Sequence, residues 1–191
     1  MSKDMQRVIL FSGHMIDSPD RDTPRFPASM EDAASARIAA ILEGWRVGKD
    51  DICICGGARG GDILFAEHGL DRGAQVRLFL PLEKEAFLDA SVRLPPACDS
   101  GWEDRFADVL GRSTAVWPDP DSATDASDNP FARNNTRMIA AAKTCADGGP
   151  IHLLLLWNGQ GGDGDGGTAD VAHRVECIAA KVAIIDPAKL H

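Results

Sequence analysis

The sequence has no apolar stretch long enough to cross a membrane. Even the run from Leu153 to Trp157 is far shorter than the roughly 20 apolar residues that a spanning helix needs. The first residues, Met1 to Arg7, also lack the apolar core of a secretory signal. We therefore expect a cytoplasmic protein without a membrane partner.

Positive charge is scarce and dispersed along the chain. Against 29 Asp and Glu there are only 20 Lys and Arg, which gives a formal net charge of −9. Proteins that hold nucleic acid through its phosphates normally carry a basic patch. A nucleic-acid polymer is therefore not an expected partner, and any anion site must be local.

The cysteines and histidines form none of the familiar frameworks. The five cysteines are irregularly spaced and odd in number, which fits a reducing compartment rather than a disulfide scaffold. Cys53 and Cys55 lie on a predicted strand and are best interpreted as small buried residues. No zinc-binding histidine pair, nucleophile elbow or Ser/His/Asp set can be placed from spacing. The sequence thus predicts neither a metal nor a cofactor.

Strand-like and helix-like segments alternate throughout the chain. Apolar runs predict strands at 7–11, 51–55, 75–80, 113–117, 151–157 and 182–185. Helical spacing and end signals predict helices at 28–45, 61–72, 83–91, 102–110, 130–145 and 168–180. This order predicts an α/β fold, a Rossmann-like doubly wound, mostly parallel sheet with helices on both faces. We expect one domain over residues 1–191.

Two glycine-rich turns follow predicted strands and lead into predicted helices. The first turn runs from Gly56 to Asp62, and the second runs from Asn158 to Gly167 before Thr168. Glycine allows close backbone approach to a ligand, and the free N–H groups of a helix's first turn favour an anion. Gly13 ends another strand, so all three segments should share one edge of the sheet. Two such turns suggest a ligand with two anionic ends, such as a nucleotide.

The predicted binding residues come from these segments and from one helix. Arg59 within the first turn offers a planar fork for phosphate, and Arg133 and Arg137 share a helix face. Each feature also has an interpretation without a ligand. The first turn would then be only a tight strand-to-helix connection, and the two helical arginines would be a solvent-exposed pair. Arg25, in a polar loop at 14–27 that suggests a lid or ligand-contact segment, is a weaker candidate. The full set is Gly13, His14, Gly56, Gly57, Arg59, Gly60, Gly61, Arg133, Arg137, Gly166, Gly167 and Thr168.

The aspartates of the second turn do not form a calcium site. Counted from Asp163, position twelve of an EF-hand loop would be Arg174, where the loop requires a bidentate glutamate. Asp165 and its neighbours are also out of phase with the calcium-repeat pattern.

Together these segments resemble the LOG/DprA (SMF)-like Rossmannoid superfamily, and within it the SLOG domains. The resemblance covers nearly the whole chain and lies in residues 8–17, 56–62, 133–138 and 157–170. It implies a domain that senses a nucleotide or NAD-derived signal, of the kind found in bacterial signalling and defence against phage.

The related LOG enzymes imply a second function, hydrolysis of the N-glycosidic bond of nucleoside monophosphates. Their motif reads Pro-Gly-Gly-x-Gly-Thr-x-x-Glu, and only Gly167-Thr168 carries over cleanly, because Val171 stands at the glutamate position. Asp170 is one residue early, about 100° away around the helix. An enzyme would therefore have to use Asp170 or, less readily, Glu67 as its carboxylate.

Three hypotheses follow from the sequence. The first is a sensor domain that binds a nucleotide-like small molecule, as a homodimer or with a fused or associated effector domain. The second is the N-glycosidase, acting on nucleoside monophosphates or NAD. The third is an interaction module with a vestigial pocket. Because the chain stops six residues after Ile185, we also consider it as the N-terminal module of a longer protein.

Overall fold

A computed structural model describes residues 6–95, 98, 101–119, 129–160 and 166–190. These residues form one six-stranded sheet in the order β4-β3-β2-β1-β5-β6, with every neighbouring pair parallel. The strands are β1 (Val8–Gly13), β2 (Ile52–Cys55), β3 (Gln75–Phe79), β4 (Thr114–Val116), β5 (Ile151–Leu156) and β6 (Lys181–Ile185). The Rossmann-like α/β architecture predicted from the sequence is confirmed.

Six α-helices connect the strands. They are α1 (Glu31–Gly44), α2 (Gly61–Asp71), α3 (Lys84–Phe87), α4 (Trp102–Arg112), α5 (Pro130–Ala146) and α6 (Thr168–Val175). A π-helical turn at Leu88–Val92 continues α3, and short 3₁₀ turns lie at Ala28–Met30 and Pro187–Lys189. Among the described residues, no helix has both the length and the apolar character that crossing a bilayer requires.

Several boundaries differ from the sequence prediction, and two of these differences have clear reasons. β1 continues to Gly13 because Ser12 and Gly13 still pair with β5. The last helix was expected to reach residue 180 but ends at Val175. After that point the Ala180 N–H bonds the Ile151 carbonyl, so the chain has already turned back to the sheet.

Helices cover both faces of the sheet because alternate strand residues point to opposite sides. On β1, Ile9 and Phe11 pack into a core shared with α1, α2 and α4, whereas Val8 and Leu10 pack into a core shared with α5 and α6. Both sets are fully buried, as expected for a parallel sheet covered on both faces.

The strand order reverses between β1 and β5. From β1 the chain builds outward through β2 and β3 to β4, then returns through α5 to place β5 on the other side of β1. Gly13 and Leu156 are paired, so β1 and β5 end level with each other. In open α/β sheets, such a reversal leaves a crevice beyond the carboxyl ends of the strands.

Replacing Phe65 by alanine should destabilise the fold strongly. Phe65 is 0% exposed, and its ring stacks on that of Phe11 with centroids 4.7 Å apart. Losing such a ring leaves a cavity and costs about 3–5 kcal/mol of unfolding free energy, measurable by urea denaturation. Ile184→Ala is the matched control, because Ile184 is 54% exposed and should change stability by under about 0.5 kcal/mol. Similar losses in both variants would contradict this description of the core.

Candidate functional site

A cavity of about 350 Å³ lies at the strand reversal. Its walls come from the ends of β1, β2, β3 and β5, from the beginning of α5 and α6, and from the loop at 14–27. The lining residues are Ser12, Gly13, His14, Met15, Arg25, Gly56, Ala58, Asp62, Pro81, Phe87, Ser91, Asn129, Phe131, Asn134, Asn135, Met138, Trp157, Gly166, Gly167, Thr168 and Ala169. This volume is at the small end of the range for ligand sites.

The structure brings half of the predicted binding residues to this cavity. Those that line it are Gly13, His14, Gly56, Gly166, Gly167 and Thr168. Those that do not are Gly57, Arg59, Gly60, Gly61, Arg133 and Arg137. Of the loop at 14–27, Arg25 also reaches the cavity, as do His14 and Met15.

The carboxylate of Asp62 accepts hydrogen bonds from backbone amides of the first turn. Asp62 is 8% exposed, and its Oδ2 accepts the Ala58 N–H at 3.2 Å, while the Gly56 backbone also hydrogen-bonds this side chain. Gly56, which was expected to hold a phosphate, and the neighbouring Ala58 therefore bind the Asp62 carboxylate instead.

Two further amides of the first turn are also used internally. The Arg59 N–H donates to the Ser91 carbonyl at 2.9 Å, and the Gly61 N–H donates to the His14 carbonyl at 3.2 Å. Gly60 has a φ of +87°, and a side chain there would collide with the backbone of Ile16. The packing of the backbone therefore accounts for this glycine without a ligand.

Arg59 is a structural residue in this fold and does not offer its fork to the cavity. It is 7% exposed, and its guanidinium donates to the carbonyls of Ile16 at 3.0 Å and Arg93 at 3.2 Å. These bonds join the loop at 14–27 to the segment after the π-helical turn. The prediction that Arg59 binds phosphate is therefore not supported by its position.

The loop at 14–27 is anchored at several points. Asp17 accepts the backbone N–H groups of Arg25 and Phe26, each at 2.7 Å, and the Phe26 side chain is buried. Met15 forms an isolated antiparallel bridge with Gly60. Of the two predicted roles, these contacts fit a fixed wall of the cavity better than a lid.

Arg137 is bound by backbone at the edge of the sheet. Its guanidinium donates to the Trp117 carbonyl at 2.6 Å and to the Asn134 Oδ1 at 3.2 Å. The Asn134 amide in turn donates to the Phe79 carbonyl at 2.6 Å. Together these bonds tie α5 to the ends of β3 and β4. Like Arg133, Arg137 lies outside the lining, so the predicted pair does not face the cavity.

Asn135 on α5 hydrogen-bonds the described end of the second turn, at Gly166 and Gly167. The Asn135 amide donates to the Gly166 carbonyl at 2.8 Å and to the Asp170 carboxylate at 3.0 Å. These bonds use the carbonyl side of the turn. Helix α6 begins at Thr168, and the first N–H groups of a helix have no partner within it. Gly167, Thr168 and Ala169 at the beginning of this helix line the cavity, while the same first turn carries the Asp170 carboxylate, which lies outside the lining.

Neither carboxylate considered for an enzyme reaches the cavity. Asp170 is bonded by Asn135 and lies 3.4 Å from Arg174. Glu67 forms a two-pronged pair with Arg105 at 2.7 and 2.6 Å. Both positions stabilise neighbouring structure.

Sequence reasoning did not select Asp62, the one carboxylate among the described lining residues. Burial raises the pKa of Asp62 to about 7. Its place beside the glycines of the first turn was visible in the sequence, but the direction of its side chain was not. His14 Nε2 lies 3.2 Å from Asn158 Oδ1, and burial lowers the pKa of His14, which keeps the imidazole neutral at pH 7.

The parts of the chain that the structure describes contain no cluster of three or more His, Cys, Asp or Glu side chains suited to a metal ion. Asp163 and Asp165, weighed above as calcium ligands, lie outside the described residues.

No family model matches the chain, and no curated protein matches it significantly. Among solved structures it is similar to a protein designated TM1055, at 16% identity and a TM-score of 0.39, over 78% of this chain and 61% of that one. It is also similar to DNA processing protein A (DprA) from Streptococcus pneumoniae, at 12% identity and a TM-score of 0.36, over 98% of this chain and 62% of that one. A third similar structure is the Moco carrier protein from Chlamydomonas reinhardtii, at 14% identity and a TM-score of 0.32, over 96% of this chain and 91% of that one.

The chain spans about three fifths of the length of the first two proteins. At such low identities and TM-scores, the activities of these proteins cannot be assigned to this chain, so the site is interpreted from its own residues.

Replacing Arg59 by methionine should lower stability. The variant keeps most of the side-chain volume but leaves the Ile16 and Arg93 carbonyls without their donor, and hydrogen bonds to charged groups contribute about 1.5–3 kcal/mol each. Urea denaturation should show the loss. Arg112→Met is the control, because Arg112 makes only exposed ion pairs. An unchanged midpoint in the Arg59 variant would contradict its structural role.

Asp62 should make stability depend on pH. Its folded pKa of about 7 lies above the ordinary value of 3.8, so the folded state binds this proton more tightly than the unfolded state. The favourable contribution is therefore complete below about pH 4 and is lost as the pH rises towards about 7. Relative to Asp62→Asn, the wild type should lose unfolding free energy across that range in urea titrations. The control is Asp71→Asn, on an exposed part of the same helix, whose unfolding free energy should change with pH in the same way as that of wild type. If the unfolding free energy of Asp62→Asn also followed that of wild type across this pH range, the raised pKa of Asp62 would be refuted.

Proposed function

We propose that this protein binds a small anionic ligand of the nucleotide type in the cavity between β1 and β5. The observation that carries this proposal is the beginning of α6 facing a cavity at the strand reversal, with Gly167, Thr168 and Ala169 in its wall. The Ser12 hydroxyl near the end of β1 donates to the Thr168 hydroxyl at the beginning of α6, with the two oxygens 3.4 Å apart. The anionic group would bind at this end.

The remaining walls suit a flat, partly apolar body. Phe87, Phe131, Met138 and Trp157 contribute apolar surface, while Asn129 and Asn134 contribute amides. Ligand sites commonly combine mainly apolar walls with a few polar groups that fix orientation. A nucleobase with its sugar has this character, and about 350 Å³ favours a mononucleotide over larger ligands.

The charge distribution supports a small molecule over a polymer. Arg25 is the single Arg or Lys side chain among the described residues of the lining, and the whole chain carries a net charge of −9. A polyanion would require a basic track. One helix end and one arginine suffice for a single phosphate group.

Binding is favoured over glycosidic hydrolysis. The carboxylates named for an enzyme, Asp170 and Glu67, are engaged with Asn135 and Arg105 respectively and lie outside the lining. Hydrolysis through an oxocarbenium-like state requires a carboxylate near the reacting carbon. A role as a sensor module that passes a nucleotide signal to a fused or associated effector rests on the SLOG resemblance.

Replacing Ala169 by aspartate should abolish nucleotide binding without unfolding the protein. The new carboxylate would lie in the first turn of α6, where it stabilises the helix by about 0.3–1 kcal/mol but repels an incoming phosphate. Isothermal titration with AMP should show a loss of affinity of about tenfold or more, since opposing like charges cost several kcal/mol.

Ala169→Asn is the matched control, because it has nearly the same size and no charge. It should retain most of the affinity for AMP. Equal weakening by both substitutions would indicate that bulk rather than charge matters there. Failure of the wild type to bind AMP, GMP or inorganic phosphate would reject the proposed function.

A further inference from the structure

Most of the exposed large apolar side chains among the described residues lie at one edge of the sheet. Two of the five, Met15 and Phe131, line the cavity described above. The other three, Ile178, Val182 and Ile184, lie on β6 or in the turn that leads into it, and they are 41%, 40% and 54% exposed. Single exposed apolar residues are common on protein surfaces, but three at one element indicate a contact surface.

β6 is a sheet edge without the usual protection against pairing. Within the part of the chain that the structure describes, no strand pairs with its outer side. Its five residues, Lys181–Ile185, pair regularly with β5 and include no proline. The opposite edge, β4, has three residues and is soon followed by Pro118. Because short edge strands and prolines prevent edge pairing, β6 is the edge that can accept another strand.

The outward backbone groups of β6 belong to Val182 and Ile184. The Ile185 carbonyl accepts the Trp157 N–H at 2.8 Å, so Ile185 directs its backbone groups towards β5. Backbone groups alternate in direction along a strand of a parallel pair. Those of Ala183 therefore also face β5, whereas those of Val182 and Ile184 face away from it.

The side chains of Val182 and Ile184 lie on the α6 side of the sheet. They are in register with Leu153 and Leu155, which belong to the core shared with α5 and α6. Helix α6 packs against β5 and β1 and ends at Val175, which leaves both side chains largely open to solvent. The edge thus carries a strip of two β-branched residues.

We propose that β6 pairs antiparallel with β6 of a second copy of this chain, about a two-fold axis through Ala183. Ala183 is the middle residue of the five, so this register pairs the whole strand and places Val182 of each copy opposite Ile184 of the other. Opposite residues of an antiparallel pair point to the same face, and β-branched pairs of this kind stabilise sheets. Two six-stranded sheets then form one continuous sheet.

The charges at the two ends of β6 favour this antiparallel arrangement. Lys181 begins the strand and Asp186 directly follows it. Antiparallel pairing brings Lys181 of each copy to the end that carries Asp186 of the other, whereas parallel pairing would place like charges together. Within one chain the two residues are about 16 Å apart along the strand, so their attraction acts between copies. Asp186 also lies 3.1 Å from Lys189, whose side chain is largely exposed, and such pairs contribute little.

The first test is sedimentation velocity of the full chain without any nucleotide. Standard interfaces use about 20–30 residues a side, so a pairing carried mainly by five residues should be weak and depend on concentration. The average mass of wild type should rise from that of a monomer towards that of a dimer between about 1 and about 200 μM protein. Ile184→Lys should raise the dissociation constant about tenfold or more, because it places a charge in the apolar cluster of each copy.

Thr114→Lys is the matched control. Thr114 is exposed on β4, the opposite edge strand, so this variant should dimerise like wild type. A wild-type mass that stays monomeric at every concentration would overturn the proposal. Equal dissociation constants in the two lysine variants would overturn it as well.

A second test checks the register without weakening the pairing. Across the axis the two Ala183 residues form a non-hydrogen-bonded pair with Cα atoms about 4.5 Å apart, within the range of a disulfide. In a Cys177→Ser background, which removes the exposed cysteine, Ala183→Cys should form a cross-linked dimer under mild oxidation, visible on a non-reducing gel. Val182→Cys is the control, because its two copies would be about 8 Å apart, beyond the reach of a disulfide.

Equal cross-linking of these two variants, or none with Ala183→Cys, would overturn the two-fold pairing at Ala183. Neither test uses a nucleotide. Failure of this proposal therefore leaves the proposed function standing, and the reverse also holds.

Discussion

The site depends on the hydrogen bonds between the Asp62 carboxylate and the backbone of the first turn. By accepting the Ala58 and Gly56 amides, Asp62 supplies from within the chain the negative charge that such a turn otherwise takes from a ligand. The turn is thereby fixed at the beginning of α2. As a result, these two amides are used within the chain, whereas Gly167, Thr168 and Ala169 at the beginning of α6 contribute to the cavity wall.

Helix α5 positions the rest of the site from one side. Asn135 holds the carbonyl oxygens of the second turn, and Asn134 with Arg137 holds the carbonyl oxygens beyond β3 and β4. Both tasks follow from the topology, because α5 returns the chain across the sheet to β5 and crosses the crevice on the way. The α5 side chains in the cavity wall, Asn134 and Asn135, are neutral amides, whereas Arg137 lies outside the wall. Such amides orient neighbouring groups without adding charge to the cavity wall.

The fold was predictable because its signals are local and repetitive. Apolar runs such as residues 151–157 and the proline that opens α5 mark their elements directly, and alternation of strands and helices determines the class of sheet. For the candidate site, the sequence predicted where the backbone turns lie but not which way the side chains point. Glycines marked both turns correctly, but Arg59 and Arg137 have side chains long enough to reach several acceptors, and their choice of backbone carbonyls depends on packing from distant segments. The inward direction of Asp62 is likewise a tertiary property.

The side chains of the cavity wall argue for recognition over bond cleavage at this site. A glycosidase requires a carboxylate beside the sugar carbon and a group that assists departure of the base. Here the Asp62 carboxylate is held at the first turn by two backbone amides, although burial raises its pKa to about 7, and His14 is hydrogen-bonded to Asn158. Arg25 is the remaining ionisable group among the described lining residues, and an arginine cannot serve as the general base. Four polar groups of the cavity wall are each held in position by hydrogen bonds to a neighbour, namely those of His14, Asp62, Asn134 and Asn135.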